Sequence, residues 1–281
     1  MEIQNHFGAL AREEYEEPRC LLCDVPRRGD PAATVPQGRI MEKLDEYMAR
    51  RDLAGAERHL LYWLAEARAG GDERGEFLIR NELMGHYRKT GNRERAIENA
   101  EAALALAERL GFGESTGGAT AFVNAATVYD AFGEPGRALP LFERARGIYT
   151  RLLPPGDARL GGLYNNMGLA LTDLRRFGEA YEAYQRALSV MRQCENGALE
   201  EAVTQLNIAN AVEAEHGLER GAEKIEQCLE LAEALLEQPE LPRNGYYAFV
   251  CEKCAPTFAY YGYFALAEEL ERRAEAIYAG T

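Results

Sequence analysis

The chain has 281 residues, 47% of them hydrophobic, enough to bury a sizeable core, and its 32 Lys and Arg against 46 Asp and Glu leave a formal charge of −14. That charge repels phosphate backbones, which excludes nucleic acid as the expected partner and favours neutral or basic ones. No apolar run approaches the ~18 residues that cross a bilayer, and the opening MEIQNHFGALAREEYEEP lacks the basic-then-apolar order of a signal peptide, so the expectation is a cytoplasmic protein without a membrane partner.

Residues 1–39 read as an N-terminal arm, partly flexible or docked on the rest. Its stretch EEYEEPRCLLC combines acidic, aromatic and leucine side chains of the kind that can occupy a groove, and it carries the CxxC pair Cys20 and Cys23.

From residue 40 the chain repeats itself. Ala96, Ala138, Ala180 and Ala222 fall 42 residues apart, and Ala56 and Ala267 continue the column at offsets of 40 and 45. Seven residues later stand Trp63, Ala103, Ala145, Ala187, Leu229 and Ala274; nine residues earlier stand Tyr47, Tyr87, Tyr129, Leu171, Glu213 and Phe258. In four units a glycine (Gly91, Gly133, Gly217 or Gly262) lies five residues before the alanine, where the left-handed conformation ends one helix before the next begins. Each unit is therefore helix, tight turn, helix, with small residues where two antiparallel helices close on each other. The approximate units are 40–72, 73–115, 116–157, 158–198, 199–243 and 244–281, forming one domain over 40–281. A single hairpin cannot cover its own apolar stripe, so neighbours must stack, and the charged AEELERRAEAIY (267–278) suits the closing cap. The proline-bearing LLPPGDAR (152–159) and LEQPELPRNG (236–245) are loops between units.

The stretch RALPLFERARGIYTRLLPPGDARLGGLYNNMGLAL, residues 137–171, runs from the second helix of one unit through an asparagine pair in the next. It resembles the tetratricopeptide repeat, in the longer 42-residue form found in kinesin light chains and related bacterial proteins. The resemblance covers roughly 40 to 278; the outer units depart from it, with Met41 and Glu42 where the fourth has its asparagines and CEKCAP in the last. It implies an all-α, right-handed superhelix of about six helix–turn–helix repeats whose first helices line a concave face. It also implies a non-catalytic scaffold or adaptor whose asparagines hydrogen-bond the backbone of an extended peptide or protein segment.

Aligned on the alanines, the place of Asn165 is taken by Asn81, Val123 and Asn207, and that of Asn166 by Glu82, Asn124 and Ile208. A primary amide carries donors and acceptors without charge, which suits reading any backbone. Each such bond nets only about 0.5–1.5 kcal/mol, so further anchors are needed. Residues on the same faces by spacing are Thr120, Thr127, Thr172 and Thr204, Arg88 and Lys89 near one end, and Phe249 and Tyr260 near the other. The alternative for the asparagines is that they bond across to adjacent helices and hold the stack.

Cys251 and Cys254, in YYAFVCEKCAPTFAYYGYF, occupy core columns of the last repeat, and Pro256 is expected to disturb that helix. With Cys20 and Cys23 they make up the four thiolates of a zinc site; the alternatives are a redox pair or separate structural cysteines. A zinc- or thiol-dependent sensor that docks the arm is the rival function. A straight stack at about 9 Å per helix puts the end repeats about 45–50 Å apart, which an arm of this length can only just span. The surrounding aromatics also admit a contact with a second copy of the chain, a homodimer. His6, His59, His86 and His216 are scattered, and the glycines of GFGESTGG (111–118) lack the strand and the Lys-Ser/Thr of a phosphate loop, so no catalytic constellation is found.

Overall fold

In a computed structural model of the chain, the described residues are 34–280 except Asn196. Among them are twelve α-helices, a short 3-10 turn at Phe112–Glu114 and no strand. The helices are α1 (Gln37–Ala49), α2 (Leu53–Gly70), α3 (Glu73–Lys89), α4 (Arg93–Arg109), α5 (Thr116–Ala131) and α6 (Pro135–Leu152). They continue with α7 (Ala158–Asp173), α8 (Phe177–Met191), α9 (Ala198–His216), α10 (Leu218–Leu236), α11 (Gly245–Tyr260) and α12 (Phe264–Ala279). Odd and even members pair as six hairpins. Several starts are fixed by a side chain that accepts an otherwise unpaired backbone N–H: Asp52 from Gly55, Asp72 from Gly75, Asn92 from Arg95, Ser115 from Gly118 and Asn244 from Tyr246 and Tyr247.

The small-residue columns are the hairpin seams. Ala56, Ala96, Ala138 and Ala180 are wholly buried, as are Ala103, Ala145 and Ala187 one side over. Gly168 presses so closely on Tyr184 that an added Cβ would lie 2.4 Å from the ring. The turn glycines Gly91, Gly133, Gly217 and Gly262 all have positive φ. In the first and fourth hairpins, which lack that glycine, Arg51 and Arg175 also take positive φ, at 55° and 59°.

The fifth hairpin departs from the 42-residue spacing. The buried Leu163, Met167, Ala170 and Leu171 of α7 are matched in α9 by Thr204, Ile208, Ala211 and Val212, 41 residues on. Val212 therefore takes the core column where the 42-residue spacing puts Glu213, and Asn207 takes the place of Asn166 rather than Asn165. On α10 the close-packing position passes from Ala222, which is exposed, to Gly221, where a Cβ would sit 2.9 Å from Val212 Cγ1. The reason is energetic: one residue fewer between the fourth and fifth hairpins keeps a carboxylate out of the core.

First helices touch their counterparts in the next hairpin, α3 with α5, α5 with α7, α7 with α9 and α9 with α11. This crowding on one side makes the first helices the inner, concave wall. Second helices carry cross-repeat ion pairs instead: Arg95–Glu57, Arg137–Glu101, Arg144–Glu108 and, at the last repeat, Arg273–Glu237. They lie at the surface, with Glu57 and Arg273 partly covered, and pairs of this kind are worth about 0–1 kcal/mol each. The stack curls far enough for its ends to meet, because Arg51, in the turn of the first hairpin, pairs with Glu252 on α11 and lies over the Tyr278 ring of α12 at 5.1 Å. The separation of about 45–50 Å expected for a straight stack is thus corrected by curvature.

Candidate functional site

The asparagines of the inner wall form a pattern that the helices dictate. Asn124 Nδ2 on α5 donates to Asn81 Oδ1 on α3 at 3.1 Å, and Asn207 Nδ2 on α9 donates to Asn165 Oδ1 on α7 at 2.9 Å. Both bonds run from one register position to the preceding residue's position in the repeat before. Asn166 on α7 holds the donor position too, but the acceptor position before it, on α5, is Val123. Asn166 accordingly has no side-chain partner among the described residues and is half-buried on the inner wall. Asn165 is only 4% exposed and lies behind the lining; Asn81, Asn124 and Asn207 are half-buried.

The threonines divide. Thr120, Thr127 and Thr172 are half-buried and donate to the carbonyls of Thr116, Val123 and Gly168. Thr204, expected on the lining, is buried by the one-residue shift of α9. Arg88 and Lys89 are exposed at the end of α3. Near them, burial and the charge of Asp45 raise the Glu82 carboxyl, while a hydrogen bond from Asn81 opposes this. Farther along, the Asp130 carboxyl is pushed up to about 7 by burial first and by the neighbouring Asp173 second, and its Oδ1 is buried without a hydrogen-bond partner.

An open cavity of about 550 Å³ lies between α9 and α11, lined by Asn210, Glu213, Ala214, Pro256, Thr257 and Tyr260. Tyr260 and Tyr261 hydroxyls donate to the two Glu213 carboxylate oxygens at 2.6 and 2.8 Å. Tyr260 is 64% exposed and Phe249 43%, with Phe249 stacked on Tyr246, whereas Tyr247 and Phe258 fill the core. The helix α11 runs unbroken through Pro256, which turns its ring to solvent.

Cys251 and Cys254 point into the core, and burial pushes the Cys254 thiol up to about 12. Cys20 and Cys23, the other half of the expected zinc set, lie outside the described residues, as does His6. No group of three or more His, Cys, Asp or Glu among the described residues is placed to hold a metal ion. His59 meets the Ile40 carbonyl at 3.0 Å and His216 the Glu215 carboxylate, each apart from the others.

Two family models, both described as tetratricopeptide repeat, match residues 77–151 and 162–193. These residues carry tetratricopeptide repeats. The fold of the chain is similar to that of BtubC (BKLC) from P. vanneervenii, at 21% identity and TM-score 0.60 over 74% of this chain and 84% of that one. A Rap protein solved in complex with Competence and Sporulation Factor is similar at 15% identity and TM-score 0.52, covering 85% of this chain and 62% of its own. A putative kinesin light chain repeat protein from Podosopora anserina matches at 19% identity and TM-score 0.48, over 72% of this chain and 94% of that one. No curated protein matches the chain. Among the described residues, no helix of this tetratricopeptide repeat array is long and apolar enough to cross a membrane.

Proposed function

We propose that the protein is a non-catalytic scaffold that holds an extended protein segment along the inner wall of its first helices. The observation that carries this is the uncommitted amide of Asn166, set midway along a wall where Asn81 and Asn124, and Asn165 and Asn207, are joined in pairs. A half-buried amide within reach of water keeps two donors and an acceptor that no neighbour has claimed, and an extended backbone supplies both kinds of partner in exchange for that water. Half-buried Asn124, Asn207 and Thr127 continue the polar track, with Asn81 behind Asn124. Exposed Arg88 and Lys89 stand at one end and Phe249 and Tyr260 at the other. Asn165 serves the track indirectly by fixing Asn207. The Rap neighbour, solved with a bound factor, supports the use of such an array for capture.

The test is selection of random 12-residue peptides by the full chain from a display library, followed by rebinding to Thr127→Trp, which fills the middle of the wall, and to Asn166→Ala. Peptides that lose binding to both variants support the proposal. Selected peptides indifferent to both would refute it.

A further inference from the structure

Several outer arginines are paired with carboxylates across repeats, as in Arg95–Glu57, Arg137–Glu101 and Arg273–Glu237, and carboxylates without an ion-pair partner among the described residues stand on both sides of the array. On the inner wall, Asp130, Asp173 and Glu213 have no ion-pair partner among the described residues. Glu213 opens into the cavity between α9 and α11, its carboxylate held in place by the hydroxyls of Tyr260 and Tyr261 and flanked by Asn210. Two hydroxyl donors leave a carboxylate with spare lone pairs. The exposed ring of Tyr260 adds a face that attracts a cation. An apolar side chain seated there would strip water from Glu213 without replacing it.

We propose that this cavity receives a guanidinium or ammonium side chain of the bound segment, so that the segment the array captures is basic. The inference rests on the groove reading above. The two fail separately in one experiment, in which the peptides selected as groove-dependent are sequenced and rebound to Glu213→Gln, Tyr260→Ala and, as an outer-face control, Glu101→Gln. The expected result is enrichment of Arg and Lys, with affinity about tenfold weaker for Glu213→Gln and unchanged for Glu101→Gln. Groove-dependent peptides that are neutral or acidic would overturn the charge assignment and leave the groove standing. Equal loss from Glu101→Gln and Glu213→Gln would mean attraction to the net charge alone, and would overturn it as well. If no selected peptide depends on the groove, both readings fall.

A separate contact carries a second inference. Arg51 occupies a turn position of positive φ where four of the other hairpins use glycine, and from it reaches both Glu252 and Tyr278 at the far end of the chain. Arg175 bears the same backbone strain, so what sets Arg51 apart is its contact with the far end of the chain. We infer that Arg51 is a clasp that closes the array on itself. Arg51→Gly keeps the turn and should leave the melting temperature unchanged while small-angle scattering shows a larger radius of gyration. Glu252→Arg should expand the array likewise, and Arg51→Glu with Glu252→Arg should restore it. A radius of gyration unchanged in both single variants would refute the clasp.

Discussion

Asn165→Val tests whether the paired amides are structural. Valine stands at the same register position on α5, as Val123, and has nearly the same helix propensity as asparagine, so the substitution isolates the hydrogen bond from Asn207. Removing one neutral amide pair costs about 0.5–1.5 kcal/mol. At about 2–4 °C per kcal/mol for a chain of this size, the melting temperature should fall by about 1–6 °C. Asn207→Val should cost the same, and the double variant little more than either alone, which yields a coupling energy of about 0.5–1.5 kcal/mol in a denaturation cycle. Asn166→Ala, which breaks no bond among the described residues, should leave stability within about 0.5 kcal/mol. A coupling energy of zero, or an Asn166 variant less stable than Asn165→Val, would refute the division of the asparagines into holding and meeting roles.

Three further outcomes follow from the same packing. The folded Asp130 carboxyl, raised to about 7 from 3.8, binds its proton more tightly than in the unfolded chain. Stability therefore falls as pH rises from about 4 to about 7 and levels above it. Asp130→Asn should be stabilised relative to the parent at pH 8 and match it below pH ~4, as read by denaturant titration across that range. On α7, Gly168→Ala should lower stability by driving a Cβ into the buried Tyr184 ring, while Gly162→Ala, with open space around it, should raise it by up to about 1 kcal/mol through helix propensity. Cys251 and Cys254, buried and held as thiols, should alkylate only at the rate of unfolding, with half-buried Cys194 reacting before them, as mapped by mass spectrometry.

The hairpins were legible because a close helix crossing tolerates only small side chains, which leaves Ala96, Ala138 and Ala180 as a visible column, and because Gly91, Gly133 and Gly262 mark left-handed turns. The shift in the fifth repeat was harder to see. Counting 42 residues places Glu213 among aromatic and aliphatic core residues, and that mismatch, beside the apolar Val212, is the signal that one residue is missing. Arg51 and Arg175 show why four glycines in six turns are enough: the turn demands a conformation, and an arginine can bear its strain. The contact between Arg51 and Glu252 was beyond reach, because curvature accumulates from small rotations at every interface and leaves no mark in the spacing. The asparagine pairs lie between these cases: recurrence at one column announced a role, but whether an amide meets a neighbour or a visitor depends on the residue opposite, Asn81 for Asn124 and Val123 for Asn166.

The central claim is that the inner wall is where an extended segment is held. A photo-crosslinking residue placed at Thr127 on the inner wall, or at exposed Leu231 on the outer helix α10, should settle it with a display-selected peptide as the probe. The account predicts crosslinks from position 127, lost in the presence of unlabelled peptide, and none above background from position 231. Crosslinks confined to position 231 would contradict it.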